Sequence, residues 1–187
     1  MDFRIPFNGR PHYYTEADIN TVVEIMRGSV PLTQGDYLRS FEKRFEQYAC
    51  VDHAFALSNA TAGLELAAQL CQFKRGDEVI IPSHTFTSSA YPFVKNGAKI
   101  VWSDIDLLTR AVTAETIASC ITNNTRAVVV PHLYGYGADM PAIMTLAEEH
   151  GLLVIEDAAQ ALGAMVEDRM VGTYGDFGIF SFHAQKN

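Results

Sequence analysis

The sequence predicts an α/β fold, in which a mostly parallel sheet is covered by helices on both faces. From about residue 53 onward, short apolar segments alternate with segments of helical character, which is typical of parallel strands joined by helices. Several apolar segments are nearly continuous in Val, Ile and Leu, as expected for strands that are buried on both sides. The predicted strands are residues 54–57, 78–81, 99–103, 126–131, 152–156 and 179–182.

Helices are predicted between and before these strands because start signals precede the helical segments. Thr113 stands where an N-cap belongs, and Asp139 comes shortly before Pro141, which favours the first turn of a helix. Ahead of the sheet, Thr15 and Asp18 have the spacing of a capping box at the start of an amphipathic helix. The predicted helices are residues 15–27, 36–48, 61–73, 88–96, 114–121 and 141–150.

Composition narrows the classes of function. The 187 residues suffice for a domain with a sizeable core, and 48% apolar with 19% charged residues is ordinary for a globular protein. The net charge of −8 argues against nucleic acid as a main partner, because phosphate binding favours a basic surface. No run approaches the roughly 20 apolar residues of a membrane helix, and the start has no signal-peptide stretch. The three cysteines form no CxxC pair, so we expect a cytoplasmic protein with reduced cysteines and no metal site.

Polar side chains follow most of the predicted strands, at the point where each strand ends. Ligands of open α/β sheets bind beyond the carboxyl ends of the strands, so we expect one crevice to gather these side chains. They are Ser58, Asn59, Thr61, His84, Thr85, His132, Asp157, Gln160, Ser181, His183 and Lys186.

Asp157 and Lys186 are the pair that indicates a cofactor. Asp157 follows a buried strand, where an unpaired charge is costly, and a protonated pyridine nitrogen is a suitable partner for it. The amine of Lys186 is suited to condense with the aldehyde of pyridoxal phosphate. Gln160 lies one helical turn beyond Asp157, within reach of the cofactor's phenolic oxygen. Two alternatives stay open: Asp157 caps a helix that begins near Ala158, and Lys186 is an ordinary surface lysine.

Three further contacts are predicted from weaker signals. Residues 58–63 join a strand to a helix through small residues, where backbone N–H groups and the Thr61 hydroxyl can bind a phosphate. Phe86 lies among polar neighbours and is suited to stack on a cofactor ring, and Ser181 is placed to contact the phosphate. The alternatives are an ordinary N-capped helix at residues 58–63 and a core position for Phe86.

Four segments resemble the DegT/DnrJ/EryC1/StrS family of sugar aminotransferases, which have the fold type I architecture of pyridoxal phosphate enzymes. Their order and spacing, together with residues 5–7, match the N-terminal half of that family and cover nearly the whole chain. The segments are Ser58-Asn59-Ala60-Thr61-Ala62, residues 76–86, Glu156-Asp157-Ala158-Ala159-Gln160, and Phe180-Ser181-Phe182-His183-Ala184-Gln185-Lys186-Asn187.

The resemblance implies conversion of a keto group on a nucleotide-linked sugar into an amine, usually with glutamate as amino donor, for surface polysaccharides or related amino sugars. It implies that Lys186 is the Schiff-base lysine and that Asp157 pairs the pyridine nitrogen. Some members carry a histidine at the lysine position and are dehydratases, so Lys186 favours transamination. The resemblance also assigns ring stacking to Phe86, the phenolic oxygen to Gln160, and phosphate contacts to Ala60, Thr61 and Ser181.

The resemblance also suggests a domain organisation. Residues 1–50 are expected to lead as a helical segment into an incomplete pyridoxal phosphate-binding large domain, 51–187, with the C-terminal domain absent. Members usually act as homodimers. The alternative is a truncated, catalytically silent remnant that at most binds the cofactor or pairs with a full-length subunit. A nucleotide-binding domain is disfavoured, because no GxGxxG turn follows the first strand and GxxxxGK[ST] does not occur.

Overall fold

The computed structural model describes residues 13–28, 31, 33–183 and 186. They belong to two compact units, one formed by Met1–Ala56 with His183–Asn187 and the other by Leu57–Phe182. Residues 5–7, which contribute to the family resemblance, lie outside the described residues, as do 184, 185 and 187 of the final segment.

The first unit contains two helices, α1 (Glu16–Arg27) and α2 (Asp36–Ala49). The predicted capping box of α1 is confirmed. The Asp18 N–H donates to Thr15 Oγ1 at 3.2 Å, and the Thr15 N–H donates to Asp18 Oδ2 at 2.8 Å. At its other end, α2 stops at Cys50, whose φ of 54° lies in the left-handed region.

The predicted strand at 54–57 is wrong, because this segment is irregular. Its composition suits a strand, but a strand forms only when a neighbouring segment completes its hydrogen-bond ladder. Within the described part of the chain no segment pairs with it, and the Ala56 N–H instead donates to Glu42 Oε1 at 2.9 Å. The side chain of Phe55 is 77% exposed.

The second unit is built on a parallel sheet. Its strands are β1 (Glu78–Pro82), β2 (Lys99–Ser103), β3 (Thr125–Pro131), β4 (Leu153–Ala158) and, after the two-residue strands β5 (Met165–Val166) and β6 (Arg169–Met170), β7 (Phe177–Phe180). The five-stranded sheet has the order β2-β1-β3-β4-β7, and every pair in it is parallel. The short antiparallel hairpin of β5 and β6 was not predicted, whereas the other predicted strands all overlap observed ones.

Helices cover both faces of the sheet. They are α3 (Ala60–Leu70), α4 (Tyr91–Lys95), α5 (Ala114–Ala118) and α6 (Met140–His150). Successive residues of a strand point to opposite faces, so Val79 and Ile81 pack with α3 and α4 on one face. Ile80, between them, packs with α5 and α6 on the other face. The predicted fold class is therefore confirmed.

The predicted helix at 88–96 is interrupted near its start. Thr87–Ser89 form a 3-10 turn, and α4 begins only at Tyr91, with Pro92 in its first turn. Proline lacks an N–H and fixes φ, so it fits the start of a helix better than the interior. The interruption leaves the hydroxyl-rich turn at the carboxyl end of the sheet rather than inside a helix.

β7 begins two residues earlier than predicted because Asp176 fixes its register beside β4. The Val154 N–H donates to Asp176 Oδ2 at 2.8 Å, and the Asp176 N–H donates to the Val154 carbonyl at 2.9 Å. The following residue, Phe177, pairs with Ile155. The carboxylate therefore joins the two strands before their own ladder starts.

Within the described ranges, no helix is long and apolar enough to cross a membrane. The same ranges contain no group of three or more His, Cys, Asp or Glu side chains placed to hold a metal ion. The three cysteines are unpaired by disulfides. Burial and, to a smaller degree, the charge of Asp176 raise the pKa of the Cys71 thiol to about 11, so this thiol stays protonated at neutral pH.

A fully buried carboxylate, that of Glu156 on β4, ties three segments together. Glu156 Oε1 accepts the N–H groups of Tyr174 and Gly175 at 2.6 and 2.7 Å. Glu156 Oε2 accepts the Gly172 N–H at 2.6 Å and faces His132 Nε2 at 3.0 Å. The carboxylate thereby fixes both the turn before β7 and the loop after β3.

The hydrogen bonds also define the form of His132. The Ala138 N–H donates to His132 Nδ1 at 3.2 Å, so Nδ1 is an acceptor and carries no proton. The ring proton therefore sits on Nε2 and is donated to Glu156. His132 is a neutral structural histidine, and the contact is a hydrogen bond to a carboxylate rather than an ion pair.

Replacing Glu156 by Gln is expected to lower the free energy of unfolding by about 3 kcal/mol, because buried donors lose a charged acceptor. Each carboxylate oxygen accepts hydrogen bonds from two donors. In either orientation of the Gln amide, its NH2 group therefore faces two donors that it cannot accept from. Urea unfolding at neutral pH measures the change. Glu148→Gln, at an exposed position of α6, is the matched control, and a loss no larger than that of the control would contradict the network.

A second prediction concerns Glu78 at the start of β1. Its carboxylate accepts hydrogen bonds from Lys99 Nζ at 2.8 Å and from Thr122 Oγ1 at 2.6 Å. These bonds hold the pKa of the Glu78 carboxyl below its ordinary value of 4.5, and the bond from Lys99 has the larger effect. A carboxyl whose pKa is lower in the folded state stabilises the fold above the unfolded-state value, and this contribution disappears as the pH falls through the folded-state value.

We therefore expect Glu78→Gln to be less stable than the unsubstituted chain at pH 7 and to approach it in stability as the pH falls below 4.5. Urea unfolding at a series of pH values tests this. Glu149→Gln, an exposed glutamate of α6, is expected to show no such convergence. A stability difference that stays constant across the series would argue against the assigned role of Glu78.

Candidate active site

Asp157 lies at the carboxyl end of β4 with 9% of its surface exposed. Its Oδ2 accepts a hydrogen bond from Ser89 Oγ at 2.6 Å, and its Oδ1 accepts the Ala159 N–H at 3.2 Å. No helix begins at Ala158, which is the last residue of β4, so the capping alternative for Asp157 is wrong. The carboxylate is held in place by two donors at the edge of the sheet where ligands are expected.

The loop after β1 carries Phe86 and three hydroxyl residues of the site, Thr85, Ser88 and Ser89. Phe86 precedes the 3-10 turn Thr87–Ser89 and is 62% exposed, so the core alternative for this side chain is wrong. Ser89 is completely buried, and its Oγ lies 2.8 Å from Thr85 Oγ1 and 2.6 Å from Asp157 Oδ2. The loop thus exposes an aromatic ring while its Ser89 hydroxyl bonds to Asp157.

The amino end of α3 joins the same group. Asn59 caps the helix by accepting the Ala62 N–H at 2.9 Å, and Thr61 Oγ1 donates to Ser88 Oγ at 3.1 Å. The N–H groups of Ala60 and Thr61 belong to the first helical turn, where no carbonyl of the helix lies one turn back to accept them. The cap seen here leaves this end of α3 suited to an anion.

Gln160 is oriented by an unusual turn after β3. Tyr134 has a φ of 57°, a left-handed value that is uncommon outside glycine, and its N–H donates to Gln160 Oε1 at 3.0 Å. A backbone N–H requires an acceptor, so the carbonyl end of the amide faces Tyr134 and the NH2 is its donor end. Gln160 is therefore arranged as a hydrogen-bond donor, as the cofactor's phenolic oxygen would require.

The predicted residues Ser181 and Lys186 fall in different units. Ser181 follows β7 and is half-buried, two residues beyond Ile179, which pairs with Asp157. Lys186 belongs to the first unit, where its N–H donates to the His183 carbonyl at 2.8 Å. Of the predicted crevice residues, His183 and Lys186 therefore belong to the first unit and the others to the second.

Sequence reasoning missed two features of this edge. Ser89 contacts Asp157 across 68 residues of chain, whereas the sequence pointed only to His84, Thr85 and the other polar neighbours of Phe86 in that loop. Glu156 was noted as the neighbour of Asp157, but its buried partners were not foreseen. In both cases the partner lies on a different element of the sheet unit.

Comparison with known proteins supports the resemblance. The family model of the DegT/DnrJ/EryC1/StrS aminotransferase family matches residues 12–187. A UDP-N-acetyl-3-dehydro-alpha-D-glucosamine 3-aminotransferase from Acidithiobacillus ferrooxidans is 42% identical over 153 residues, which are 82% of this chain and 42% of that protein. A GDP-perosamine synthase from Vibrio cholerae is 38% identical over 154 residues, again 82% of this chain and 42% of the relative. The chain thus spans less than half the length of these relatives.

Solved structures agree. An aminotransferase from Psychrobacter cryohalolentis superposes with a TM-score of 0.89 and 38% identity, covering 97% of this chain and 46% of that one. A candidate sugar aminotransferase from Streptococcus pneumoniae, in its PLP form, gives a TM-score of 0.89 at 30% identity over 98% of this chain and 50% of its own. The sheet and its helices are therefore those of this group of enzymes. The chain belongs to the DegT/DnrJ/EryC1/StrS aminotransferase family.

Proposed function

We propose that this chain is the cofactor-binding part of a pyridoxal 5'-phosphate-dependent aminotransferase. Its substrate is a nucleotide-linked keto sugar, which it converts to an amino sugar with glutamate as amino donor. The observation that carries the proposal is Asp157, a buried carboxylate at the carboxyl end of a parallel strand, which Ser89 joins to the loop that carries the exposed Phe86. Family membership supports it independently.

The residues of the sheet unit fit the parts of this cofactor. Asp157 is an acceptor suited to a protonated ring nitrogen, and Phe86 offers an exposed aromatic face for stacking. The donor end of Gln160 suits the phenolic oxygen. The phosphate is assigned to the first turn of α3, Ala60 and Thr61, and to Ser181 after β7. Each part of the cofactor therefore has a residue of matching chemistry.

When bound, pyridoxal phosphate supplies an aldehyde that takes up the amino group and a ring that withdraws electrons from the bond being broken. Asp157 would accept a hydrogen bond from the protonated ring nitrogen and so favour its protonated form. We assign to Lys186 Nζ the amine that links the cofactor to the protein and that carries a proton during transfer. Lysine at this position favours transamination over dehydration.

The relatives support the proposed substrate class. Their names specify a UDP-linked amino sugar formed by amination and a GDP-linked perosamine, so we assign a nucleotide-linked sugar to this chain as well. We further propose residues 51–187 as the large-domain portion, a homodimer as the working assembly, and the cytoplasm as its compartment. None of these assignments requires nucleic acid, which the net charge of −8 disfavours.

The first test is reduction with borohydride after incubation with pyridoxal phosphate, followed by peptide mapping. We expect a visible absorbance band that disappears on reduction and a cofactor adduct on Lys186, because only an amine in covalent contact with the aldehyde is trapped. Lys186→Ala is expected to show neither. Lys43→Ala, an exposed lysine of the same unit, serves as the control and should behave like the unsubstituted chain. An adduct on other lysines alone would refute the assignment of Lys186.

The second test addresses Asp157. Asp157→Asn keeps the shape of the side chain but removes its charge, and the loss of a buried charge partner corresponds to about 100-fold or more in transfer rate. The rate is followed as 2-oxoglutarate released from glutamate in the presence of a nucleotide-linked keto sugar. Asp104→Asn, an exposed aspartate after β2, is the control. If the unsubstituted chain binds the cofactor but releases no 2-oxoglutarate, the result favours the silent-remnant alternative.

A further inference from the structure

Ser89 is the residue that holds the Asp157 carboxylate from the side of the neighbouring loop. It has no exposed surface, and its Oγ donates to Asp157 Oδ2 at 2.6 Å, which is short for a bond between these groups and typical of a charge-assisted one. A serine hydroxyl has one proton, so this bond uses it. Thr85, whose Oγ1 lies 2.8 Å from Ser89 Oγ, must then be the donor of their shared bond. The result is a directed chain from Thr85 through Ser89 to Asp157.

This chain of hydroxyls connects two elements that the proposed cofactor would touch. Ser89 ends the 3-10 turn that Phe86 precedes, and Asp157 belongs to β4. The second donor to the carboxylate, the Ala159 N–H at 3.2 Å, comes from the strand's own continuation. Ser89 is therefore the contact through which the ring-stacking loop fixes the carboxylate's direction.

We propose that Ser89, supported by Thr85, is a positioning residue that aims the Asp157 carboxylate at a cationic heteroaromatic nitrogen. The inference rests on the proposed function. Two hydrogen bonds on separate oxygens limit rotation of the carboxylate. This effect does not require Ser89 to touch the cofactor.

The test uses Ser89→Ala, with Ser103→Ala as the matched control. Ser103 is also a buried serine, at the end of β2. In the described part of the chain, its Oγ is the buried side-chain nitrogen or oxygen atom that has no hydrogen-bond partner. Both variants lose one buried hydroxyl, but only Ser89→Ala loses a bond to Asp157. Thr85→Val removes the first donor while preserving shape, and it is expected to act in the same direction more weakly.

The main readout is the nitrogen-15 chemical shift of ring-labelled pyridoxal phosphate bound to the chain at neutral pH. We expect a protonated ring nitrogen in the unsubstituted chain and in Ser103→Ala, and a shift toward the unprotonated value in Ser89→Ala. The dissociation constant of the cofactor, followed by fluorescence quenching, should rise about tenfold in Ser89→Ala. A purely structural role would lower stability without moving the nitrogen shift.

A cofactor-free readout separates this inference from the proposed function. The carbon-13 shift of the Asp157 carboxyl, assigned through its loss in Asp157→Asn, should move in Ser89→Ala and stay unchanged in Ser103→Ala. If the unsubstituted chain binds the cofactor but Ser89→Ala and Ser103→Ala give the same nitrogen-15 and carbon-13 shifts, the positioning role alone is overturned. Failure of the unsubstituted chain to bind pyridoxal phosphate overturns the proposed function and this inference together.

Discussion

The two adjacent acids at the end of β4 impose the constraint on which the sheet edge depends. Neighbouring residues of a strand face opposite sides, so Glu156 and Asp157 place their charges under different layers of helices. A buried carboxylate without donors is costly, and each of these acids therefore requires its own partners. The structure supplies them from different elements, which makes the arrangement of this edge a consequence of satisfying both charges.

The two acids differ in role: Glu156 stabilises the fold, whereas Asp157 is available for chemistry. Glu156 is completely enclosed and receives three backbone N–H groups and the His132 ring, so its role is to hold loops. Asp157 has fewer donors and retains 9% exposure, so it can still accept a ligand. The rigid turn before β7 and the loop after β3 both depend on Glu156. Asp157, the less enclosed of the two acids, therefore lies on a strand that Glu156 fixes to its neighbouring loops.

Local patterns in the sequence predicted the parts of the fold that local physics determines. The continuous apolar run Val79-Ile80-Ile81 in a strand and the cap at Thr15 are properties of a few consecutive residues, and both appear as expected. The segment 54–57 failed because pairing depends on a partner far away in the chain. The bond from Ser89 to Asp157 spans 68 residues and is visible only once the sheet order is known. The gathering of polar side chains at the carboxyl ends of the strands was predictable because parallel strands end together, whereas their hydrogen-bond network was not.

The same division explains how relatives named for different nucleotide-linked sugars share this portion of the chain at 38 to 42% identity. Under the proposed function, a buried carboxylate, a helix start and an oriented amide would recognise the nitrogen, phosphate and oxygen of the cofactor, which are the same whichever sugar is the substrate. The same proposal leaves sugar selection to residues outside this buried network. Tyr134 and Tyr136, 74% and 70% exposed after β3, show that the same edge also carries side chains with no structural burial to constrain them. Selectivity at such positions can change without disturbing the donors that hold Asp157, which is the physical condition for one fold to serve several substrates.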